Sequence, residues 1–143
     1  MKAIVYQSKA TVPFNNEQLD ELGRIATAKN ALLGVTGYLC FYRRSFFQYI
    51  EGDAETVSDL MNLIAADHRH HVLRIHEDDS LLLRRFPAWH MKYISADRGE
   101  NVELKNLVQL HFDRFDGRDF EDSWVNMIRG AVLQVARLQE SVY

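Results

Sequence analysis

Two apolar runs, "VTGYLCFY" (Val35–Tyr42) and "SFFQYIEG" (Ser45–Gly52), stand two residues apart, and nothing else in the chain limits its fold so sharply. Each has the length and the aromatic and β-branched content of a strand, so Arg43-Arg44 between them must be a tight hairpin. Gln48 sits inside the second run, on the same face as Phe46 and Ile50. A primary amide there, where a valine would fold more safely, needs a reason.

The flanking segments build outward from that hairpin. "KAIVYQS" (Lys2–Ser8) reads as a strand with Ile4 and Tyr6 on one face and Ala3 and Val5 on the other. Pro13 and Asn15-Asn16 mark a turn, and Asn15 with Gln18 forms a capping-box start. The helix that follows runs to about Asn30, with Leu19, Leu22, Ile25 and Ala26 as its apolar stripe, and Gly34 breaks it. Asp53 caps a second helix in which Val57, Leu60, Met61 and Ile64 recur at helical spacing. "VLRIHEDD" and "WHMKYIS" read as two more strands, with an irregular approach from Arg84 to Pro87. The order β-α-β-β-α-β-β predicts an α+β sandwich of the ferredoxin-like kind.

From about Glu103 the pattern turns helical. One helix carries Leu104, Leu107, Val108, Phe112 and Phe115; the other carries Ile128, Ala131, Val135, Leu138 and Val142 in a short heptad-like seam. The expectation is that both pack on the other face of the sheet and that part of the last helix helps a dimer form. Residues 1–97 then make one domain and 98–143 a helical extension.

Charge and cysteine content narrow the function classes. A net charge of −3 with mixed signs lacks the basic face of a nucleic-acid binder. A single cysteine, Cys40, excludes a disulfide framework or a cysteine-based zinc site. No apolar run reaches the ~18 residues that a membrane span requires. The chain starts directly on a strand pattern, so no signal peptide is read and a cytoplasmic setting is expected.

Parity on the sheet gathers Ile4, Tyr6, Phe46, Gln48, Ile50, Trp89 and Met91 on one face. If the two early helices cover it, the Tyr6 phenol and Gln48 amide are buried, and a buried polar group without a partner costs about 1–3 kcal/mol. Two readings stay open: the pair bonds to itself and to backbone, or it faces a polar ligand between the helices. Asn30 is either a helix C-cap or a third polar group in that crevice. A phenol, two amides and a methionine offer no nucleophile and no paired carboxylates; they suit the edge of a heteroaromatic ring.

Rival signals are weaker. "ADHRHH" (Ala66–His71) bears three histidines, which cannot all converge on a metal if the run bends from helix into strand. Arg69 with Asp67 reads better as a charge-assisted pair. GxSxG, Walker A and GxGxxG are all missing from the sequence.

Taken in order, "IVYQS", "AKN", "GVTGYL", "FFQYIEGD", "IAADHRH" and "RRFPAWHM" resemble the BLUF domain, a blue-light sensor that uses a flavin, over roughly Met1 to Asp97. The resemblance implies a flavin between the two early helices: FAD, with FMN or riboflavin as alternatives. It implies that Tyr6 is the photochemical electron and proton donor and Gln48 the amide bridging it to the ring. Asn30 would hold the polar ring edge, and Ile25 would pack on the ring. Arg69, with Asp67 and His70, would approach the far side or the ribityl chain, and Lys29 lies where members differ. Trp89 and Met91 would exchange places or hydrogen bonds near Gln48. Ala26 lacks a hydroxyl that some members carry there. The implied output is a red-shifted signalling state passed to the C-terminal helices, a second copy or an unidentified partner protein, with no enzymatic activity in this chain. The alternatives are a flavin-free ferredoxin-like binding protein or enzyme, and the sensor part of a longer light-regulated nucleotide cyclase.

Overall fold

The computed structural model describes residues 1–95, 102–115 and 121–139, with the side chains at 115 and 121–124 outside that description. Expectations for Phe115, Val142 and the boundary at residue 97 fall outside the described part. The elements are β1 (Lys2–Ala10), α1 (Asn16–Leu33), β2 (Thr36–Tyr42), β3 (Ser45–Gly52), α2 (Ala54–Ala65), β4 (His70–Asp78), β5 (His90–Ser95), α3 (Val102–Phe115) and α4 (Glu121–Leu138). This is the α+β order that the sequence predicts. The chain divides into two compact units, Met1–Tyr93 and Ile94–Tyr143.

Five strands form one sheet in the order β4-β1-β3-β2-β5, which puts β1 and β3 at its centre. β1 pairs antiparallel with β3, setting Tyr6 opposite Gln48 and Ile4 opposite Ile50. β2 pairs antiparallel with β3, setting Leu39 opposite Gln48. Because side chains alternate, these registers sort the sheet into two faces. On the first, Ile4, Leu39, Phe46 and Ile50 pack with Leu19 of α1 and Val57, Leu60 and Met61 of α2. On the second, Tyr38 stacks near Tyr49 (6.1 Å between centroids), and Phe86 meets both edge-on.

Local chemistry fixes the ends. Asn15 and Gln18 complete the reciprocal capping box on α1, and Asp53 accepts from the Thr56 N–H at the start of α2. α1 runs one turn beyond Asn30 and stops at Gly34, whose φ of 68° is the left-handed cap conformation. The β2–β3 turn is Arg43-Arg44 as expected, with both residues at positive φ, 48° and 66°. That is the backbone a two-residue hairpin requires, held here without glycine; Arg43 lies over the Tyr42 ring at 4.8 Å.

In the second unit the predicted Leu104, Val108 and Phe112 of α3 and Ile128, Ala131 and Val135 of α4 are buried, Leu107 and Leu138 are half-buried, and Val132, which the sequence reading left out, is buried with them. His111 and Gln134 bond between the two helices at 2.7 Å.

Candidate functional site

β1 and β3 meet at the middle of the sheet, and their register brings two polar side chains together there. Tyr6 Oη donates to Gln48 Oε1 at 2.6 Å, and Gln48 Nε2 donates to Met91 Sδ at 3.1 Å. Tyr6 and Gln48 are 3% and 4% exposed. The phenol hydrogen finds its acceptor in the amide oxygen, and the amide nitrogen turns to the thioether, a weak acceptor. Burial, and after it the negative charge of Asp67, push the Tyr6 pKa well up, which keeps the phenol protonated.

Beside this pair, α1, α2 and the sheet enclose a cavity of about 200 Å³. Its walls are aliphatic, with Leu22 and Ile25 from α1 and Leu60 and Ile64 from α2. Ile25 is 51% exposed although it lies on the apolar stripe of α1, because it faces this opening instead of the packed core. Asn30 also lines the cavity. Since Gly34 caps the helix, Asn30 is free of that duty: it is 3% exposed, and no protein group among the described residues bonds its carboxamide. Its carboxamide opens on the cavity, where a ligand with a polar edge would bond it.

The rim is charged. Asp67, Arg69, His70 and Lys29 all line it. Arg69 grips the Asp67 carboxylate through Nε and Nη2, the latter at 2.7 Å, and these bonds hold the Asp67 carboxyl down at about 2. His70 bonds Ser8 Oγ through Nδ1 at 2.7 Å and the Ile64 carbonyl through Nε2 at 2.6 Å. A carbonyl only accepts, so Nε2 carries the proton. With both ring nitrogens occupied, His70 ties α2 to β1 two residues from Tyr6. Among the described residues no three His, Cys, Asp or Glu side chains cluster for a metal.

Eight residues singled out in the sequence (Tyr6, Ile25, Lys29, Asn30, Gln48, Asp67, Arg69 and His70) thus surround one cavity. The ninth, Met91, touches Gln48. The tenth is a correction. Trp89 does not share the Gln48 face: it stacks on Phe86 at 5.4 Å and meets Tyr38 edge-on at 6.4 Å, on the second face. Strand parity fails because β5 begins only at His90 and Met91 has a φ of 70°, off any strand conformation. Missed altogether was Thr27, whose hydroxyl lies 2.9 Å from the Met91 carbonyl and links α1 to that irregular residue. Its place one position after Ala26, on the cavity helix, was the available signal.

The residues fit a flavin. Apolar walls suit the faces of a flat ring, the Gln48 and Asn30 amides suit its alternating donors and acceptors, and the Lys29 ammonium on the lining suits a phosphate.

Comparison with known proteins agrees with this geometry. The family model "BLUF: Sensors of blue-light using FAD" matches residues 1–92. Photoactivated adenylate cyclase subunit beta of Euglena gracilis is 36% identical over 94 residues, which is 64% of this chain and 11% of that protein. The chain therefore spans about a tenth of the length of such curated relatives. The dark-state structure of BlrB, a BLUF protein, superposes with a TM-score of 0.69 at 25% identity, covering 94% of this chain and 96% of that one. A bacterial light-regulated adenylyl cyclase gives 0.67 at 28% identity, covering 80% of this chain and 34% of that one.

Proposed function

The chain belongs to the BLUF family of blue-light sensors, and on that premise we propose that Tyr6, Gln48 and Met91 are its hydrogen-bond switch, reading FAD held between α1 and α2. The observation that carries the proposal is the buried 2.6 Å bond from the Tyr6 phenol to the Gln48 amide at the edge of the cavity. Gln48 and Asn30 hold the polar edge of the ring, Ile25 packs on it, and Lys29, Asp67, Arg69 and His70 serve the ribityl and phosphate end.

Bound flavin supplies blue absorption and, once excited, a strong one-electron oxidant. The rest is the work of the protein. A phenol that gives up an electron becomes a strong acid, and among the described residues the acceptor set against the Tyr6 hydroxyl is Gln48 Oε1. The proton moves there. Rotation of the Gln48 side chain exchanges its donor and acceptor ends; a tautomer that holds this proton on oxygen would do so only by passing one nitrogen proton on to the ring edge that the amide faces, which would then return it. Rotation breaks the bond to Met91 Sδ, and with either change the amide presents different hydrogen-bonding groups to the cavity. Return of the electron and proton to Tyr6 leaves no chemical change except in how hydrogen bonds are directed.

The chain acts as a sensor without catalytic activity of its own, with residues 1–97 as sensor and 98–143 passing the signal to a partner protein or a second copy. The test is Gln48→Leu, which should bind flavin with undiminished yellow colour and give no light-induced red shift. A normal shift in that variant would show that the amide is not the switch.

A further inference from the structure

Three residues beyond Gln48 on the same strand, facing the other way, lies Glu51, a carboxylate with no exposed surface. Four donors surround it. Oε1 accepts from the Tyr49 hydroxyl at 2.9 Å and the Arg85 backbone N–H at 2.8 Å. Oε2 accepts from the Thr36 hydroxyl and the Phe86 backbone N–H, both at 2.8 Å. The two amides can only donate. The hydroxyls are themselves addressed by guanidinium groups, Thr36 by Arg84 at 2.9 Å and Tyr49 by Arg85 at 3.1 Å, so their own protons point at Glu51. Every contact is made for an anion, and burial together with that anion pushes the Tyr49 phenol pKa up.

What Glu51 holds is the segment that leads to the switch. Phe86 accepts from the Trp89 N–H at 3.3 Å and stacks on the Trp89 ring. The Trp89 carbonyl accepts from the Gly37 N–H at 2.9 Å. Two residues on, Met91 Sδ receives Gln48 Nε2. The segment from Arg85 to Met91 is therefore a strap fastened twice to β3, at Glu51 on one face and at Gln48 on the other.

We propose that Glu51 is a positioning residue for the light response: it is the fixed end of this strap, and it sets how fast Met91 and Gln48 regain their dark arrangement. The inference rests on the switch proposed above. Glutamine at position 51 keeps the shape and replaces one acceptor oxygen by a donor, so at least one of the two backbone N–H groups loses its partner.

The experiment uses the full flavin-loaded chain carrying Glu51→Gln, with the size of the red shift and the rate of dark recovery read separately. The shift should be that of the parent, since Tyr6 and Gln48 are untouched, and recovery should slow by about twofold or more, the low end for one lost hydrogen bond. A folded variant with a lower Tm but parental recovery would mean that Glu51 only supports the fold, and would overturn the proposal. Tyr49→Phe removes one donor and keeps the carboxylate; it should slow recovery less, and it decides the matter if Glu51→Gln does not fold, unchanged recovery again being the contrary result. Hydrogen exchange of the Arg85 and Phe86 amides in darkness is independent of photochemistry. It should quicken in Glu51→Gln even if the parent shows no red shift and the switch itself is refuted; unchanged exchange would overturn the anchor alone.

Discussion

Tyr6 donates to an amide 2.6 Å away where water cannot compete, and that placement dictates what substitution should do. Tyr6→Phe removes the hydroxyl and keeps the ring, so flavin should still bind while the reversible red shift disappears; absorption spectra before and after illumination decide it, and a normal photocycle would refute the donor. The phenol's raised pKa adds a prediction about pH. A phenol shifted upward stays neutral above its usual value near ~10, so the amplitude of the shift should hold level from neutral pH to about 10 while the protein stays folded. A loss with a midpoint near or below 10 would show that the phenol is not shielded. Asp67 behaves oppositely: its depressed pKa gives stability that is present above about 4 and lost as pH falls toward 2, worth under about 1 kcal/mol because the pair with Arg69 is exposed. Tyr6 and Gln48 were legible in the sequence because period-two alternation holds through β1 and β3. Trp89 was not, because the positive φ at Met91 leaves no mark in the pattern of residue types.

At the scale of elements, the hairpin, both helix caps and the sequential order of strands and helices follow from short-range chemistry and were readable; the order of strands within the sheet rests on long-range pairing. The partners of Glu51 were not: Thr36, Tyr49, Arg85 and Phe86 lie 2 to 35 positions away, and such separations carry no periodic signal. Gly37 shows how closely the central strands fit. Its φ is 146°, and a Cβ there would stand 1.9 Å from the Tyr49 carbonyl oxygen. Gly37→Ala must therefore strain the backbone and part β2 from β3, and it should cost at least about 2 kcal/mol in urea unfolding. Because the Gly37 N–H also holds the Trp89 carbonyl, that variant should disturb Trp89 as well. Stability within about 0.5 kcal/mol of the parent would contradict the packing described.

For the whole molecule, the energies set the size of the response. Re-aiming one amide is worth about 1–2 kcal/mol, enough to shift a balanced population of conformers and too little to dismantle a large interface. On the proposed reading, the predicted output is a modest rearrangement or a modest change in affinity for a partner. The sequence reaches this far because the cavity residues come from segments of strong local pattern; the identity of the partner has no such pattern behind it. Among the described residues no helix is long and apolar enough to cross a membrane. Everything depends on an oxidised flavin seated against Tyr6, Gln48 and Asn30, so the decisive measurement is the visible absorption of the purified protein in darkness, under blue light and during return to darkness. The account predicts a yellow protein whose flavin band moves slightly to the red on illumination and recovers fully without added reductant. A colourless protein that refuses added FAD, or a bound flavin whose band stays fixed in the light, would contradict it.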